Sequence, residues 1–186
     1  MFYRPLPSQQ YLKDCFEYQP ETGLLIWKHR PLSHFVSERA CNITNTRCVG
    51  KVAGNFDKST GRRSVSVGQG EQFFASRIIW KWVTGADPTI AIDHRDLNKT
   101  NDKWDNLREA TKAQNEYNTP IRKNNKTGFK NVCLDSRSGK YRAYITKDYK
   151  QKQIGLFLTA EEAFNAVKQA YPKYHGDFAN IGTIEC

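Results

Sequence analysis

Apolar positions along the chain fall into short runs whose period changes several times, which predicts many small elements rather than a few long ones. In "QYLKDCFEY", Leu12, Cys15, Phe16 and Tyr18 share one helical face. "PETG" then turns the chain into "LLIWK", a short strand. Residues 30–50 show no period and read as loop, and "SVSVGQGEQFF" reads as strand, glycine turn and strand. "SRIIWKWVTG" carries Ile78, Ile79, Trp82 and Val83 at helical spacing as core residues, with Ser76 as N-cap and Gly85 as the stop. "TIAIDH" and "NLREAT" predict two brief strands with a long polar loop between them. Thr111 and Gln114 have the spacing of a capping box, so a helix is expected from about Lys112 until Pro120 ends it. That helix is complete before Pro120, so the chain up to residue 119 is expected to fold by itself.

Beyond it the pattern changes. Residues 120–127, within "PIRKNNKTG", are polar, basic and turn-rich, and read as a linker. Three strand-like runs follow, "GFKNV", "KYRAYIT" and "QKQIGLF", and then "TAEEAFNAVKQAYPKYHG", an amphipathic helix capped by Thr159 with Ala163, Ala166, Val167 and Ala170 as its apolar stripe. The expected fold class is α+β: a strand–loop–strand–helix frame at 91–119, preceded by a small α/β part at 1–90, then a three-stranded antiparallel sheet packed on one helix at 128–186. No internal repeat is visible.

Composition narrows the function. A chain of 186 residues suits one or two small domains. No apolar run reaches the length of a membrane span and "MFYRPLPSQQ" lacks the apolar core of a signal peptide, so a soluble, cytoplasmic protein with no membrane partner is expected. The net charge is +10. Between Ile121 and Lys152, ten Lys or Arg stand against two acids, Asp135 and Asp148, a surplus of eight, whereas Asp93 to Lys112 holds five of each sign. Positive charge at that density points to a polyanion such as nucleic acid. The five cysteines form no C-x-x-C pair and read as reduced thiols, although Cys41 and Cys48 could share a metal with His29 or His34.

The chemistry concentrates in "IDHRDLNKTNDKWDNLREATKAQN", residues 92–115. Asp93 offers a carboxylate and Asn115 an amide carbonyl. An oxygen-only donor set suits a hard cation, Mg²⁺ or Mn²⁺, that leaves most positions to water and phosphate. His94 at the strand end is placed to take a proton from water as a general base. Asn106, from the facing strand end, either holds His94 or braces the loop between them. Asn98 and Asn101 read as turn formers, and Leu97 and Trp104 as a small apolar anchor.

Residues 92–115 resemble the HNH motif of the ββα-metal nucleases in the form common to phage and intron-encoded homing endonucleases: D-H, a loop rich in Asn, Asp and Lys, N-L-R, then His or Asn on the helix. "FEYQPETGLLIWK" and "SRIIWKWVTG" resemble stretches found upstream in those enzymes. Residues 121–180 resemble an APETALA2-type DNA-binding domain through "GFKNV", "SGKYRAYI", "IGLF" and "TAEEAFNAV". The resemblance implies one metal per site on Asp93 and Asn115, His94 as base, Asn106 as orienting residue, and products with 5′-phosphate and 3′-hydroxyl ends. Two departures matter: Asn115 stands where His is also found, which favours Mg²⁺ or Mn²⁺, and Ser76 stands where His is frequent.

In the second domain, alternation points Tyr141, Ala143 and Ile145 to the helix and Arg142, Tyr144 and Thr146 outward. The resemblance implies that the outward face enters the major groove of double-stranded DNA, with Arg142 reading bases and Lys130, Arg137 and Lys152 on phosphates. Arg77 reads either as a phosphate contact or as an ordinary helix-surface Arg. The expectation is a phage-encoded homing endonuclease in a bacterial host, a monomer or weak dimer with no small-molecule cofactor. Its rivals are a DNA-binding regulator with an inactive nuclease part and a nuclease of low sequence preference.

Overall fold

The computed structural model describes residues 4–68 and 70–182. Its contacts divide the chain into an N-terminal unit, Met1–Glu109, and a C-terminal unit, Ala110–Cys186.

In the N-terminal unit, α1 (Gln9–Cys15) starts where the Ser8 hydroxyl accepts from the Tyr11 amide, and gives way directly to β1 (Phe16–Gln19), which pairs with β2 (Leu24–Trp27). Phe16 and Tyr18 were expected on the helix face. They alternate as strand residues, which buries both while Glu17 between them stays exposed. Residues 30–50, expected as loop, contain a short 3₁₀ turn and α2 (Glu38–Cys48), capped by Ser37. β3 (Asn55–Asp57), β4 (Arg62–Val67) and β5 (Glu71–Phe74) form an antiparallel meander. α3 (Ala75–Thr84) leaves β5 without a break, so Ser76 is not its cap but a buried first-turn residue. Gly85 ends α3 as expected, at φ 83° with its amide on the Lys81 carbonyl at 2.9 Å. Ile78 and Ile79 are fully buried, whereas Val83 is exposed. β6 (Ala91–His94) and β7 (Leu107–Ala110) form a two-stranded sheet. One apolar core, including Leu12, Phe16, Leu25, Val65, Ile79, Ile92 and Leu107, joins α1, β1, β2, β4, β5, α3, β6 and β7.

The C-terminal unit opens with α4 (Lys112–Tyr117), and the capping box between Thr111 and Gln114 is formed in both directions. Three antiparallel strands in the order β10–β9–β8 follow: β8 (Val132–Asp135), β9 (Lys140–Lys147) and β10 (Lys150–Phe157). "GFKN" is turn rather than strand, with Asn131 at φ 61°. α5 (Ala160–His175), capped by Thr159, packs its Ala163, Val167 and Tyr171 against Val132, Ala143 and Ile145. The α+β class, and the three-stranded sheet packed on one helix, are as expected. Among the described residues no helix is long and apolar enough to cross a membrane.

Candidate active site

Strand β6 ends in three consecutive buried residues, Ile92, Asp93 and His94, so both of its faces are covered. A carboxylate and an imidazole in such a place need polar partners, because burying a charge without one is costly. For Asp93 the partner is Arg108 on β7. The guanidinium Nε and Nη2 each donate to Asp93 Oδ2 at 2.9 Å, and both side chains are almost fully buried. For His94 it is Asp102, whose Oδ1 lies 2.9 Å from Nε2, with both side chains buried. A carboxylate oxygen accepts, so Nε2 is the donor in this pair.

Asp102 is itself held by the N-terminal hairpin. The buried Tyr18 hydroxyl donates to the Asp102 carbonyl at 3.1 Å, and burial pushes that phenol up to about 12. The β1–β2 turn presses on the same loop at Gly23, where an added Cβ would lie 2.5 Å from the Lys103 nitrogen and 2.6 Å from the Asp102 carbonyl carbon. Trp104, in the short turn before β7, packs against Trp80 of α3 with ring centroids 5.2 Å apart.

Asn106 resolves one of the alternatives left open by the sequence: it braces the loop. Its Nδ2 donates to Asp96 Oδ1 at 2.9 Å and to the Asn101 carbonyl at 2.7 Å, while its Oδ1 accepts from the Asp96 amide at 3.0 Å. Asn101 Nδ2 donates to Asp96 Oδ2 at 2.6 Å, so Asn101 is a network member and not simply a turn former. Burial raises the Asp96 carboxyl, but the bonds from Asn101, Asn106 and the Asn98 amide outweigh it, and the group sits below the usual carboxylate range. Sequence reasoning named neither Asp102 nor Arg108. The signal lay in the loop and in N-L-R, but nothing in the order of residues says which acid or base meets which.

Asn115 lies half-buried in the first turn of α4, in the C-terminal unit. Among the described residues no group of three or more His, Cys, Asp or Glu is gathered to hold a metal. The alternative in which Cys41 and Cys48 share a metal with His29 or His34 therefore has no such group behind it among the described residues. Cys41 is buried beside the Arg30 carbonyl and the Asn45 amide instead. Cys186 lies outside the described residues.

The expected DNA contacts separate into three groups. Arg142, Tyr144 and Thr146 share the face of β9 turned away from α5, and Arg142 Nη2 donates to Cys133 Sγ at 3.4 Å across the β8–β9 register. Arg137 is exposed in the β8–β9 turn. Lys152 is exposed but opposite Ile145, on the helix side of the sheet, where Nζ donates to the Tyr174 hydroxyl at 3.0 Å. It does not share the Arg142 face. Arg77 is buried in α3, at odds with both readings offered for it, a phosphate contact and a helix-surface residue. Lys130 is the clearest correction. It is buried, and its Nζ donates to the carbonyls of Tyr117 (2.7 Å), Thr119 (2.6 Å) and Asn180 (2.7 Å). An ammonium has three donors, and all three are used, so a phosphate contact by Lys130 is excluded in this arrangement. Desolvation lowers the group to about 8. Arg122, assigned to the linker, lines the same grooves as Tyr144 beside the sheet and was not anticipated.

Comparison with known proteins adds the following. A family model described as HNH endonuclease matches residues 73–117, a span that contains α3, β6, the His94–Asp102 loop, β7 and α4. A protein of Escherichia phage T7, protein 3.8, is 34% identical over 107 residues, which cover 55% of this chain and 85% of the phage protein. No solved structure matches.

Proposed function

Since the chain belongs to the family of phage T7 protein 3.8 and carries an HNH endonuclease domain at residues 73–117, we propose that it is a homing-type endonuclease that hydrolyses phosphodiester bonds in double-stranded DNA. The observation that carries this reading is the buried His94–Asp102 pair, 2.9 Å apart at the end of β6 and inside the matched residues.

His94 accepts the proton of the attacking water at Nδ1. Asp102 acts on His94 through Nε2: it fixes the tautomer and stabilises the imidazolium that forms. Arg108 holds the Asp93 carboxylate from its Oδ2 side, and Asn106 keeps the His94–Asp102 loop closed through Asp96. The motif's pattern assigns the divalent cation, Mg²⁺ or Mn²⁺ and one per site, to Asp93 and Asn115. Both residues offer oxygen, the donor type that suits such an ion. When bound, the ion supplies Lewis-acid stabilisation of charge on the phosphate and the departing oxygen.

The C-terminal unit, an APETALA2-type domain in this reading, selects the site. Arg142, Tyr144 and Thr146 face the major groove and exposed Arg137 lies on phosphate. The division of labour in this reading is cleavage by residues 1–119, whose last helix, α4, packs within the C-terminal unit, and DNA reading by residues 128–186, joined by the basic residues 120–127, in a phage-encoded protein acting inside a bacterial host. The test is incubation of end-labelled phage and host DNA with Mg²⁺, with the ends mapped on each strand. Cuts bearing 5′-phosphates and recurring at defined positions are expected, and chelation should abolish them. Full activity in EDTA would sink the metal assignment.

A further inference from the structure

α4 is only six residues long, and a helix of that length has more unpaired terminal groups than internal bonds. Its N-terminus is closed by its own capping box. At its C-terminus the Asn118 amide donates to the Gln114 carbonyl at 3.2 Å and the Thr119 hydroxyl to the Glu116 carbonyl at 2.8 Å. The Tyr117 and Thr119 carbonyls are bonded by Lys130, and the same ammonium ties them to the Asn180 carbonyl beyond α5. A cation is the favoured partner for the carbonyl end of a helix. Around it, the Tyr117 ring stacks on His175 at 3.9 Å, and the Tyr117 hydroxyl accepts from the Asp148 amide at 2.9 Å. Asn180 Nδ2 donates to Asn118 Oδ1 at 3.1 Å. The helix that carries Asn115 is therefore built into the domain that follows it.

We propose that Lys130 is a positioning residue for the nuclease reaction: its buried ammonium fixes the C-terminal end of α4 to the DNA-reading domain and thereby sets where Asn115 presents its amide oxygen to the metal. This rests on the nuclease reading above and adds to it that the second domain contributes to cleavage as well as to DNA binding. Lys130 acts through α4 and does not touch DNA.

The test uses the full-length protein and Lys130→Met, which keeps the aliphatic stem and removes the charge. The Mg²⁺ concentration for half-maximal cleavage should rise about tenfold or more, the range seen when a residue supporting a metal ligand is lost. Duplex affinity and its salt slope should stay within about twofold of wild type. Amide hydrogen exchange should quicken at Asn115–Asn118 and stay unchanged in β6 and β7. Lys130→Arg, which keeps donors and charge, should recover part of the metal response. A loss of affinity and salt slope at unchanged Mg²⁺ response would make Lys130 a phosphate contact and overturn the proposal. Unchanged exchange in α4, or faster exchange with an unchanged Mg²⁺ response, would overturn it as well. If Lys130→Met does not fold, Tyr117→Phe decides: it removes only the phenol's bonds, and a smaller shift in the same direction, about threefold, is expected, while no shift overturns the idea. Should the wild type cut no DNA, the nuclease reading fails, and the exchange measurement still reports whether Lys130 holds α4.

Discussion

In the N-terminal unit two buried acids are held by nitrogen-bearing side chains, Asp93 by Arg108 and Asp102 by the His94 imidazole, whereas in the C-terminal unit the buried ammonium of Lys130 meets three neutral carbonyls. The difference is one of responsiveness. In a pair, a proton or cation arriving at one member changes the field at the other, so such pairs suit a site where charge moves during a reaction. A cradle of carbonyls has no charge to redistribute. It fixes geometry, and it spends a basic residue that a count along the sequence would assign to DNA.

The sharpest way to break this contrast is at the proposed base. His94→Ala should lower cleavage by roughly 10²–10⁴-fold while duplex binding is nearly unchanged. Equal turnover by the purified variant would remove His94 from the chemistry and leave its pair with Asp102 merely structural. Asp102→Asn keeps the shape and removes the charge that orients the imidazole. Cleavage should fall by about 10- to 100-fold with metal response and affinity intact, and a variant as fast as wild type would mean that the pair's charge is idle. On the reading face, Arg142→Ala should cost about 1–3 kcal/mol of binding and relax preference at one base position. Isotherms on cognate and scrambled duplexes showing a uniform loss would make Arg142 a phosphate contact instead.

The smallest effect concerns acid. His175 is buried between the rings of Tyr117 and Tyr171. Burial lowers it to about 4, helped by Lys130 and Lys147 and opposed by Asp148. An imidazole whose folded value lies below its unfolded one stays neutral in the fold and takes up a proton on unfolding. Its contribution is complete above about pH 6.5 and is lost as pH falls towards 4, by on the order of 1–2 kcal/mol after allowance for residual solvent. Denaturation midpoints at pH 7.5, 6 and 4.5 should therefore fall more steeply for wild type than for His175→Phe, which keeps a ring in the stack. Identical slopes would show that His175 protonates without cost.

Local signals were readable where one residue type satisfies one backbone demand. Gly85 closes α3, the Thr111–Gln114 box opens α4, and alternation in "KYRAYIT" set which side of β9 meets α5. α2 was not readable because its buried residues are Cys41 and the polar Asn45 while Ile43 is exposed, leaving only the Ser37 cap to announce it. The pattern does not separate β1 from the preceding helix, because Leu12, Cys15, Phe16 and Tyr18 satisfy helical spacing as well as they satisfy the actual helix-to-strand junction. Within the candidate site, the residues of 92–115 were recognisable as a group but their pairings were not. Which acid reaches His94 depends on how the loop is folded by Asn106 and Tyr18, residues 12 and 76 positions away. Lys130 misled for a related reason: charge per residue carries no information about burial.

Gly23 holds a further consequence. It sits in what the sequence presents as an ordinary turn, yet its backbone at φ 73° lies flush against the peptide joining Asp102 to Lys103. Even a methyl group there would have to displace main chain, and the nearest main chain to move is the one that aims a carboxylate at His94. A surface-loop redesign, or a tag inserted at this hairpin because it looks dispensable, would be read out as a catalytic defect some eighty residues downstream, with no altered side chain near the imidazole to explain it.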